Sequence, residues 1–337
     1  MVAARAGVST ATVSRVLASS EKVSAQNRAR VLEAMSELDY RPSGVARALR
    51  RRTTATLGLV VTDIVNPFYP EVVLGVEDAA RRRGSSVLLC NAADDAERES
   101  GYLDLLLERR VDAAIIASGS MARRHAERLA AFPVPVVLVN THPPINGLPA
   151  IVCDDHTGGW LAAQHLMSCG HRRVVHIAGP SEAGETSQRL EGARAAVDAH
   201  PGAELVVLAG DGHLEGGRRA MMQAARAVAP PFGVVCHNDL TAIGALSVAR
   251  DLGLDVPGQI GIVGFDDIAL SAHVGPPLTT VAQDKYEMGV WAVDAVAALL
   301  DGGHVDSRVL PVELIVRRST APLPASAQPG TSGEVAV

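Results

Sequence analysis

Long hydrophobic runs are missing from this sequence. No stretch of eighteen apolar residues occurs among its 337 positions, so no segment has the length and apolarity that a membrane-spanning helix needs. No signal-like segment precedes the first predicted helix. The sequence therefore predicts a soluble, cytoplasmic chain without a membrane partner.

Cysteines and aromatic residues are also scarce. The four cysteines show neither a CxxC pair nor any other metal-ligand spacing, which favours reduced structural thiols. They are Cys90, Cys153, Cys169 and Cys236. Aromatic residues make up 3% of the chain and hydrophobic residues 47%, so the core must be built mainly from Ala, Val and Leu.

Motifs that would mark an enzyme are not found. The stretch Gly210-Asp211-Gly212-His213 is not a phosphate-binding loop, and no Gly-x-Ser-x-Gly nucleophile elbow occurs. The histidines are scattered rather than clustered. We therefore predict no catalytic residues, no metal site and no cofactor.

Charge is distributed unevenly along the chain. The formal net charge is −6 for the whole sequence, but the first 52 residues carry +6 and the remainder carries −12. This asymmetry is typical of a basic DNA-binding head on an acidic body. Lys and Arg side chains supply the sequence-independent part of DNA binding by releasing counterions from phosphates.

The first seventeen residues have the pattern of a helix-turn-helix. Gly7 can take the positive φ of a tight turn, and Ser9 can cap the following helix. Val13 and Val16 fall on one face of that second helix, which can then enter a major groove. The residues predicted to contact DNA from it are Ser9, Thr10, Ala11, Thr12, Ser14 and Arg15. The alternative is a helical hairpin that happens to contain a glycine.

A third helix is predicted over residues 24–39, with Ser24 as its N-cap. Tyr40-Arg41-Pro42 ends it, because proline disfavours helix at the preceding residue. A short basic amphipathic segment follows at residues 43–52.

These motifs resemble the LacI/GalR family of bacterial transcriptional repressors. The matching stretches are AGVSTATVSRVL (6–17), VSAQNRARVLEAMSELDYRPS (23–43), VARAL (45–49) and TLGLVVTDIVNPFY (56–69). The resemblance continues to about residue 320. It implies a homodimer whose recognition helices read two half-sites of double-stranded operator DNA.

The resemblance also implies hinge helices that dock in the minor groove between the half-sites. The hinge residues then expected to contact DNA are Val45, Ala46, Leu49 and Arg51, with Leu49 as a wedge at the central step. Relatives usually begin with a Thr-x-x-Asp-like segment that caps the first helix. Met1 stands at the acidic position here, so we expect that helix to lack a side-chain cap.

Beyond residue 54 the pattern changes to strands alternating with helices, which indicates parallel sheets covered on both faces. The predicted strands are Leu57–Val61, Ser86–Cys90, Ala113–Ala117, Val134–Val139, Arg173–Ala178, Leu205–Ala209, Gly233–Cys236 and Gly261–Gly264. The predicted helices are 69–83, 97–109, 158–169, 186–198, 214–227 and 240–252. The fold class is thus α/β, with an all-α head and a two-lobed, doubly wound body.

By resemblance the body has the periplasmic-binding-protein type I architecture, in which the chain crosses three times between lobes. The crossings are expected near 152–154, 282–285 and 309–312. The resulting divisions are a helix-turn-helix domain 1–42, a hinge 43–54, an effector-binding and dimerisation body 55–320 (lobe N 55–153 and about 283–310, lobe C 154–282 and about 311–320) and a disordered tail 321–337.

Ligands of such sheets bind at the carboxyl ends of the strands, and here polar side chains recur at those ends. The candidate effector-binding residues are Asp63, Asn66, Phe68, Asp154, Arg189, Asn238, Asp266 and Lys285. A carboxylate and an arginine can hold adjacent hydroxyls, while an aromatic ring can cover an apolar sugar face. An Asn or Asp after a strand can also simply cap a helix, which is an open alternative for Asn238 and for Asp155.

By resemblance, Arg189, Asn238 and Asp266 match positions that contact the effector, and Asn66 and Phe68 supply the opposite lobe's share. Lys285 stands where some relatives have an aromatic residue, so it either faces an acidic effector or is solvated. Residues 210–214 carry no ring besides His213, which predicts a polar pocket.

The leading hypothesis is therefore a repressor whose operator affinity is controlled by a small effector, a sugar or sugar derivative. A solute-binding protein without a DNA role is the alternative, but it would have a signal peptide and no basic head. The sequence leaves open whether the effector releases or promotes DNA binding.

Overall fold

The computed structural model describes residues 1–17, 22–40, 53–142, 145, 147–180 and 184–324. The chain divides into two units, residues 1–55 and residues 56–337. The first unit is helical in its described part. The second unit combines helices with two sheets.

Three helices form the first unit, called the head below: α1 (Val2–Ala6), α2 (Thr10–Leu17) and α3 (Ala25–Glu37). Gly7 ends α1 with a φ of 62°, as the tight turn requires. Ser24 caps α3 by accepting a hydrogen bond from the Asn27 amide at 3.3 Å. Met1 is the N-cap of α1 and makes no side-chain cap hydrogen bond. Val31 is fully buried and packs in one cluster with Val13 and Val16.

The second unit, called the body below, contains twelve strands in its described part. They are β1 (Thr56–Val61), β2 (Ser86–Asn91), β3 (Ala113–Ala117), β4 (Val136–Val139), β5 (Ala150–Cys153), β6 (Arg173–Ile177), β7 (Glu204–Leu208), β8 (Phe232–Cys236), β9 (Ile260–Asp266), β10 (Thr279–Ala282), β11 (Arg308–Leu310) and β12 (Glu313–Ile315).

Nine α-helices connect these strands in the described ranges. They are α4 (Phe68–Arg82), α5 (Ala96–Glu108), α6 (Gly119–Arg124), α7 (Ala126–Ala130), α8 (Asp155–Ser168), α9 (Gly184–Asp198), α10 (Leu214–Ala227), α11 (Asp239–Asp251) and α12 (Lys285–Leu300). A 3₁₀ helix spans Ala269–Ala272.

The strands form two six-stranded sheets. The first has the order β11-β5-β4-β3-β1-β2 and is parallel throughout, and the second has the order β12-β10-β9-β8-β6-β7. In the second sheet only β12 runs antiparallel to its neighbour, β10. The chain moves between the sheets after β5, between β10 and α12, and between β11 and β12.

Each sheet is buried on both faces. Leu59 and Val61 of β1 point to a core shared with α4 and α12, while Val60 points to a second core shared with α5 and α6. The second sheet repeats this arrangement, with α10 and α11 on one face and α8 and α9 on the other. The predicted α/β, doubly wound class is confirmed.

Glycines allow the closest helix pairs to touch backbone to backbone. A Cβ placed on Gly289 of α12 would lie 2.2 Å from the carbonyl oxygen of Val72 on α4. A Cβ on Gly192 of α9 would lie 1.9 Å from the carbonyl oxygen of His156 on α8. Any larger residue at these positions forces the helices apart.

Candidate functional site

The head presents α2 with one buried face and one exposed face. Val13 and Val16 are buried, whereas Thr10, Ala11 and Arg15 are exposed. This division follows from the helical spacing, because residues three apart share a face. The exposed face carries a hydroxyl, a methyl group and a guanidinium, which are groups that can contact base edges.

The remaining predicted contacts of this helix have structural partners as well. Ser9 accepts a hydrogen bond from the Thr12 amide at 3.1 Å, and the two hydroxyls lie 2.9 Å apart. The Ser9 hydroxyl therefore caps α2, as its sequence position predicts. Ser14 is half-buried. The hinge predictions for Val45, Ala46, Leu49 and Arg51 fall outside the described residues.

A cavity of about 500 Å³ opens in the body between the carboxyl ends of the two sheets. We call it the cleft. From the first sheet and its loops it is lined by Thr62, Asp63, Asn66, Tyr69, Asp94, Gly119, Ser120, Arg124 and Asn140. From the second it is lined by Pro180, Glu185, Gly210, Asp211, Gly212, His213, His237 and Asn238. The cleft volume is suited to a small molecule.

Three of the predicted effector residues line this cleft. Asp63 accepts a hydrogen bond from the Val65 amide at 3.0 Å, and Asn66 accepts one from the Phe68 amide at 3.1 Å. Both side chains thus stabilise the turn after β1 while facing the cavity. Asn238 accepts from the Thr241 amide at 2.9 Å and donates to the Gly212 carbonyl at 2.8 Å, so it caps α11 and lines the cleft at once.

The predicted aromatic platform needs a correction. Phe68 is only 3% exposed and belongs to the core of the first sheet, so it does not face the cleft. The neighbouring Tyr69 lines the cavity instead, with its ring edge-on to Phe68 at 5.1 Å between centroids. Successive side chains in the first turn of α4 point about 100° apart. Tyr69 therefore faces the cleft, while Phe68 points into the core.

Arg189 lies behind the cleft lining in a buried ion-pair network. Its Nε donates to Asp155 at 2.7 Å, its Nη1 donates to the His237 carbonyl at 2.6 Å, and its guanidinium stacks 3.7 Å from the Phe265 ring centroid. His142 Nε2 lies 3.0 Å from the other oxygen of Asp155. Burial opposes ionisation of Asp155, but the Arg189 charge and His142 hold the pKa of this carboxyl below its usual value.

Asp266 is buried at the end of β9, where its backbone adopts a φ of 109°. Its carboxylate accepts a hydrogen bond from Gln283 at 2.6 Å. Burial raises the pKa of Asp266 to about 7, although the Arg189 charge acts in the opposite direction. Asp266, like Arg189, does not belong to the cavity lining itself.

Lys285 and Asp154 are also placed differently from the prediction. Lys285 is 3% exposed, donates to the carbonyl oxygens of Asp266 and Asp267, and lies 3.5 Å from Glu71. It is therefore not solvated, and it does not belong to the cavity lining. Asp154 caps α8 by accepting from the Thr157 amide at 2.9 Å, and its neighbour Asp155 is the carboxylate that pairs with Arg189.

Sequence reasoning missed several lining residues. Asp94 and Asn140 follow β2 and β4, with positive φ values of 54° and 53°. The rule of polar residues at strand ends applies to both and could have found them. Glu185 sits in the first turn of α9, and no strand-end signal marks it.

Two kinds of feature are absent from the part of the chain that the structure describes. No group of three or more His, Cys, Asp or Glu side chains there could hold a metal ion. In the same ranges, no helix is long and apolar enough to cross a membrane.

Comparison with known proteins assigns both units to one family. Residues 2–43 match the bacterial regulatory proteins of the lacI family, and residues 54–317 match the periplasmic binding proteins and sugar binding domain of the LacI family. The transcriptional repressor CytR of Escherichia coli K12 is 36% identical over 331 residues, covering 96% of this chain and 96% of CytR.

Solved structures show the same relationship. A lac repressor dimer bound to operator and the anti-inducer ONPF is 30% identical with a TM-score of 0.84, over 95% of this chain and 98% of that one. A LacI-family regulator from Enterococcus faecium with bound ribose is 30% identical with a TM-score of 0.72, over 80% of this chain and 100% of that one.

Proposed function

The chain belongs to the lacI family of bacterial regulatory proteins, and from this membership we propose that it represses transcription as a homodimer on operator DNA, under the control of a small effector in the cleft. The family is regulatory and its named relatives are transcriptional repressors. The chain is therefore a DNA-binding transcription regulator and not an enzyme. Its site of action is the cytoplasm, where the operator is.

The observation that carries the DNA-binding proposal is the two-sided surface of α2. Its apolar face is buried in the core of the head, and its exposed face carries Thr10, Ala11 and Arg15. Such a helix can read base edges without disturbing its own packing. Arg15 is the residue best suited to a guanine edge, and Thr10 and Ala11 would set preference at neighbouring positions.

The hinge part of the proposal rests on sequence alone. Leu49 would insert as an apolar wedge at the central minor-groove step and kink the duplex, with Val45, Ala46 and Arg51 contacting DNA beside it. We also propose the domain division at residues 42, 54 and 320 and the two-lobed division of the body given above.

The effector part of the proposal rests on the cleft. Residues from the carboxyl ends of both sheets line one cavity, and the Enterococcus faecium relative contains ribose. A polyhydroxylated molecule would contact Asp63, Asn66 and Asn238 directly, with Tyr69 against its apolar face. Arg189 and Asp266 lie behind the cavity lining and would contact it only when the lining opens toward them. Effector binding would change the angle between the sheets and thereby the operator affinity.

A solute-binding protein without a DNA role is not favoured. A solute-binding protein would not need a DNA-binding head. Residues 2–43 of this chain match the regulatory family, and the lac repressor neighbour is bound to operator.

Arg15→Ala tests the DNA-reading role. An operator is first selected from a random duplex library, and its affinity is measured by fluorescence anisotropy beside that of a random duplex. The variant should lose about 1–3 kcal/mol on the operator and less on the random duplex. Equal losses on both would show that Arg15 contacts only phosphate.

Arg226→Ala is the matched control, because it removes one exposed arginine from the body and should leave both affinities unchanged. Failure of the wild-type chain to select any duplex would overturn the proposed function itself.

A further inference from the structure

The cleft lining is strongly acidic. Four carboxylates face it, from Asp63, Asp94, Glu185 and Asp211, while Arg124 is the one lysine or arginine among the described lining residues. An acidic concave wall lowers the local potential and favours ligands that bring no negative charge.

Three arginines in or near the cleft are engaged by carboxylates of the chain. Arg124 donates to Glu99 at 2.5 Å, and Glu99 is fully buried. Arg189 donates to Asp155 at 2.7 Å, and Arg219 donates to Asp211 at 2.5 Å. Arg123 donates to the His142 carbonyl at 2.9 Å and does not line the cleft. A phosphate or carboxylate on a ligand would have to compete with the carboxylate partners of Arg124, Arg189 and Arg219.

The carboxylates of the cleft act on the pKa of its aromatic side chain, Tyr69. Burial raises the pKa of Tyr69, and the charges of Glu185, Asp94 and Asp266 raise it further. These carboxylates belong to different elements of the two sheets, so their fields converge on the space that Tyr69 faces. An anionic ligand beside Tyr69 would meet the same repulsion as the phenolate.

Two buried oxygens at the cleft have no hydrogen-bond donor among the residues that the structure describes. They are Oε2 of Glu185 and the side-chain oxygen of Asn140. A Cβ on Gly119 would lie 3.6 Å from Glu185 Oε2 and 3.2 Å from the Asn140 carbonyl oxygen, so the glutamate from α9 reaches the start of α6 across the cleft. A buried acceptor without a donor is costly, and a ligand N–H or O–H at this point would satisfy it.

We propose that the effector of this chain is neutral or carries an amine, that it donates hydrogen bonds to Glu185 and Asn140, and that the cleft excludes its phosphorylated and carboxylated counterparts. This inference rests on the proposed function and names the ligand class of the same cleft. Glu185 is the residue that sets the discrimination, because it combines a carboxyl group with an unpartnered oxygen. Burial raises the pKa of this carboxyl, while the Arg189 charge favours its ionised form.

The test uses the full chain at pH 7 and matched sets of compounds in a thermal-shift assay. The sets are D-glucose, D-glucosamine and D-glucuronate; D-ribose and D-ribose 5-phosphate; and adenosine and adenosine 5′-monophosphate. In at least one set a neutral or amino member should raise the Tm, and its anionic counterpart should bind at least about tenfold more weakly by calorimetry.

Glu185→Gln should reduce the ratio of the two affinities, neutral or amino compound over anionic counterpart, about tenfold. It would do so by weakening the binding of an amine or by strengthening the binding of the anion. A tenfold change corresponds to about 1.4 kcal/mol of charge interaction. Glu191→Gln is the matched control, because Glu191 is exposed on the same helix, and it should bind like the wild type.

The outcomes separate this inference from the proposed function. An anionic member that binds as well as its neutral counterpart overturns the inference, and so does unchanged discrimination in Glu185→Gln. No Tm shift from any of the seven compounds also overturns it, because both neutral and amino classes are represented. Operator binding is measured on the same preparations, and its loss in the wild type would instead refute the proposed function.

Discussion

Asp266 illustrates how one buried side chain makes stability depend on pH. Burial raises the pKa of its carboxyl to about 7 in the folded chain, whereas an unperturbed aspartate has a pKa of about 3.9. Between these two values the folded chain keeps a proton that the unfolded chain has released. The contribution of Asp266 to the free energy of unfolding is therefore fully present below about pH 4, falls as the pH rises toward 7 and is lost above pH 7.

Asp266→Asn should remove this dependence. We expect the free energy of unfolding of the wild type, relative to the variant, to fall by about 4 kcal/mol between pH 4 and pH 8. Urea unfolding of the body at a series of pH values measures the difference. Asp306→Asn is the control, because the Asp306 side chain is 94% exposed, and it should follow the wild type throughout. A difference between Asp266→Asn and the wild type that stays constant with pH would contradict the prediction.

At the residue scale, the sequence predicted the neighbourhood of the cleft better than its individual contacts. The sequence predicted that Phe68 would contact the effector, but the neighbouring Tyr69 lines the cavity. It predicted the same role for Asp154, but the neighbouring Asp155 is the carboxylate that pairs with Arg189. A strand-end rule locates a short segment, but the helix that starts there decides which of two adjacent side chains turns inward. Lys285 was misplaced because its partners are backbone carbonyls of Asp266 and Asp267, which no side-chain pattern reveals.

At the element scale, helix pairs with glycine contacts hold the body together on both sheets. Gly75 on α4 faces Gly289 on α12, and a Cβ on Gly75 would lie 2.2 Å from the Tyr286 carbonyl oxygen. These contacts are backbone to backbone, so no side-chain rotation can relieve a clash. The pair α4 and α12 joins the start of the body to the segment that returns from the second sheet.

Gly289→Ala should therefore destabilise the body. The added methyl group would push against the Val72 carbonyl, and such overpacking costs about 1–3 kcal/mol or more. Gly101→Ala is the matched control on the exposed face of α5, where nothing lies within 4 Å. It should instead stabilise the body by about 0.5–1 kcal/mol through helix propensity. Thermal or urea unfolding distinguishes the two, and equal effects of both variants would refute the packing argument.

Element types were predictable where the apolar pattern was long. The prediction of Leu57–Val61 matches β1, and the prediction of 214–227 matches α10. The structure adds four strands and three helices to those named from the sequence, which are β5, β10, β11, β12, α6, α7 and α12. Strands β11 and β12 have three residues each and are partly exposed, so they carry too few alternating positions to produce a signal.

At the scale of the whole molecule, the sequence predicted the class of the fold because strands alternating with helices leave few other architectures. It could not predict the charge of the cleft. Asp94 and Glu185 lie 91 positions apart, and only the packing of the two sheets brings them to one cavity. The polarity expected from residues 210–214 is one part of that environment.

Regulation by an effector requires that the cleft and the DNA-reading surface be coupled. Thermodynamic linkage makes the coupling reciprocal, so the effector must change operator affinity by the same factor by which the operator changes effector affinity. For a compound from the thermal-shift screen we expect a factor of about 5–150 in both directions. Anisotropy with and without the compound gives the first factor, and calorimetry with and without operator gives the second. A random duplex, which engages the head chiefly through phosphates, is the control and should show a smaller factor. Factors of one in both directions would mean that the cleft binds its ligand without controlling the operator.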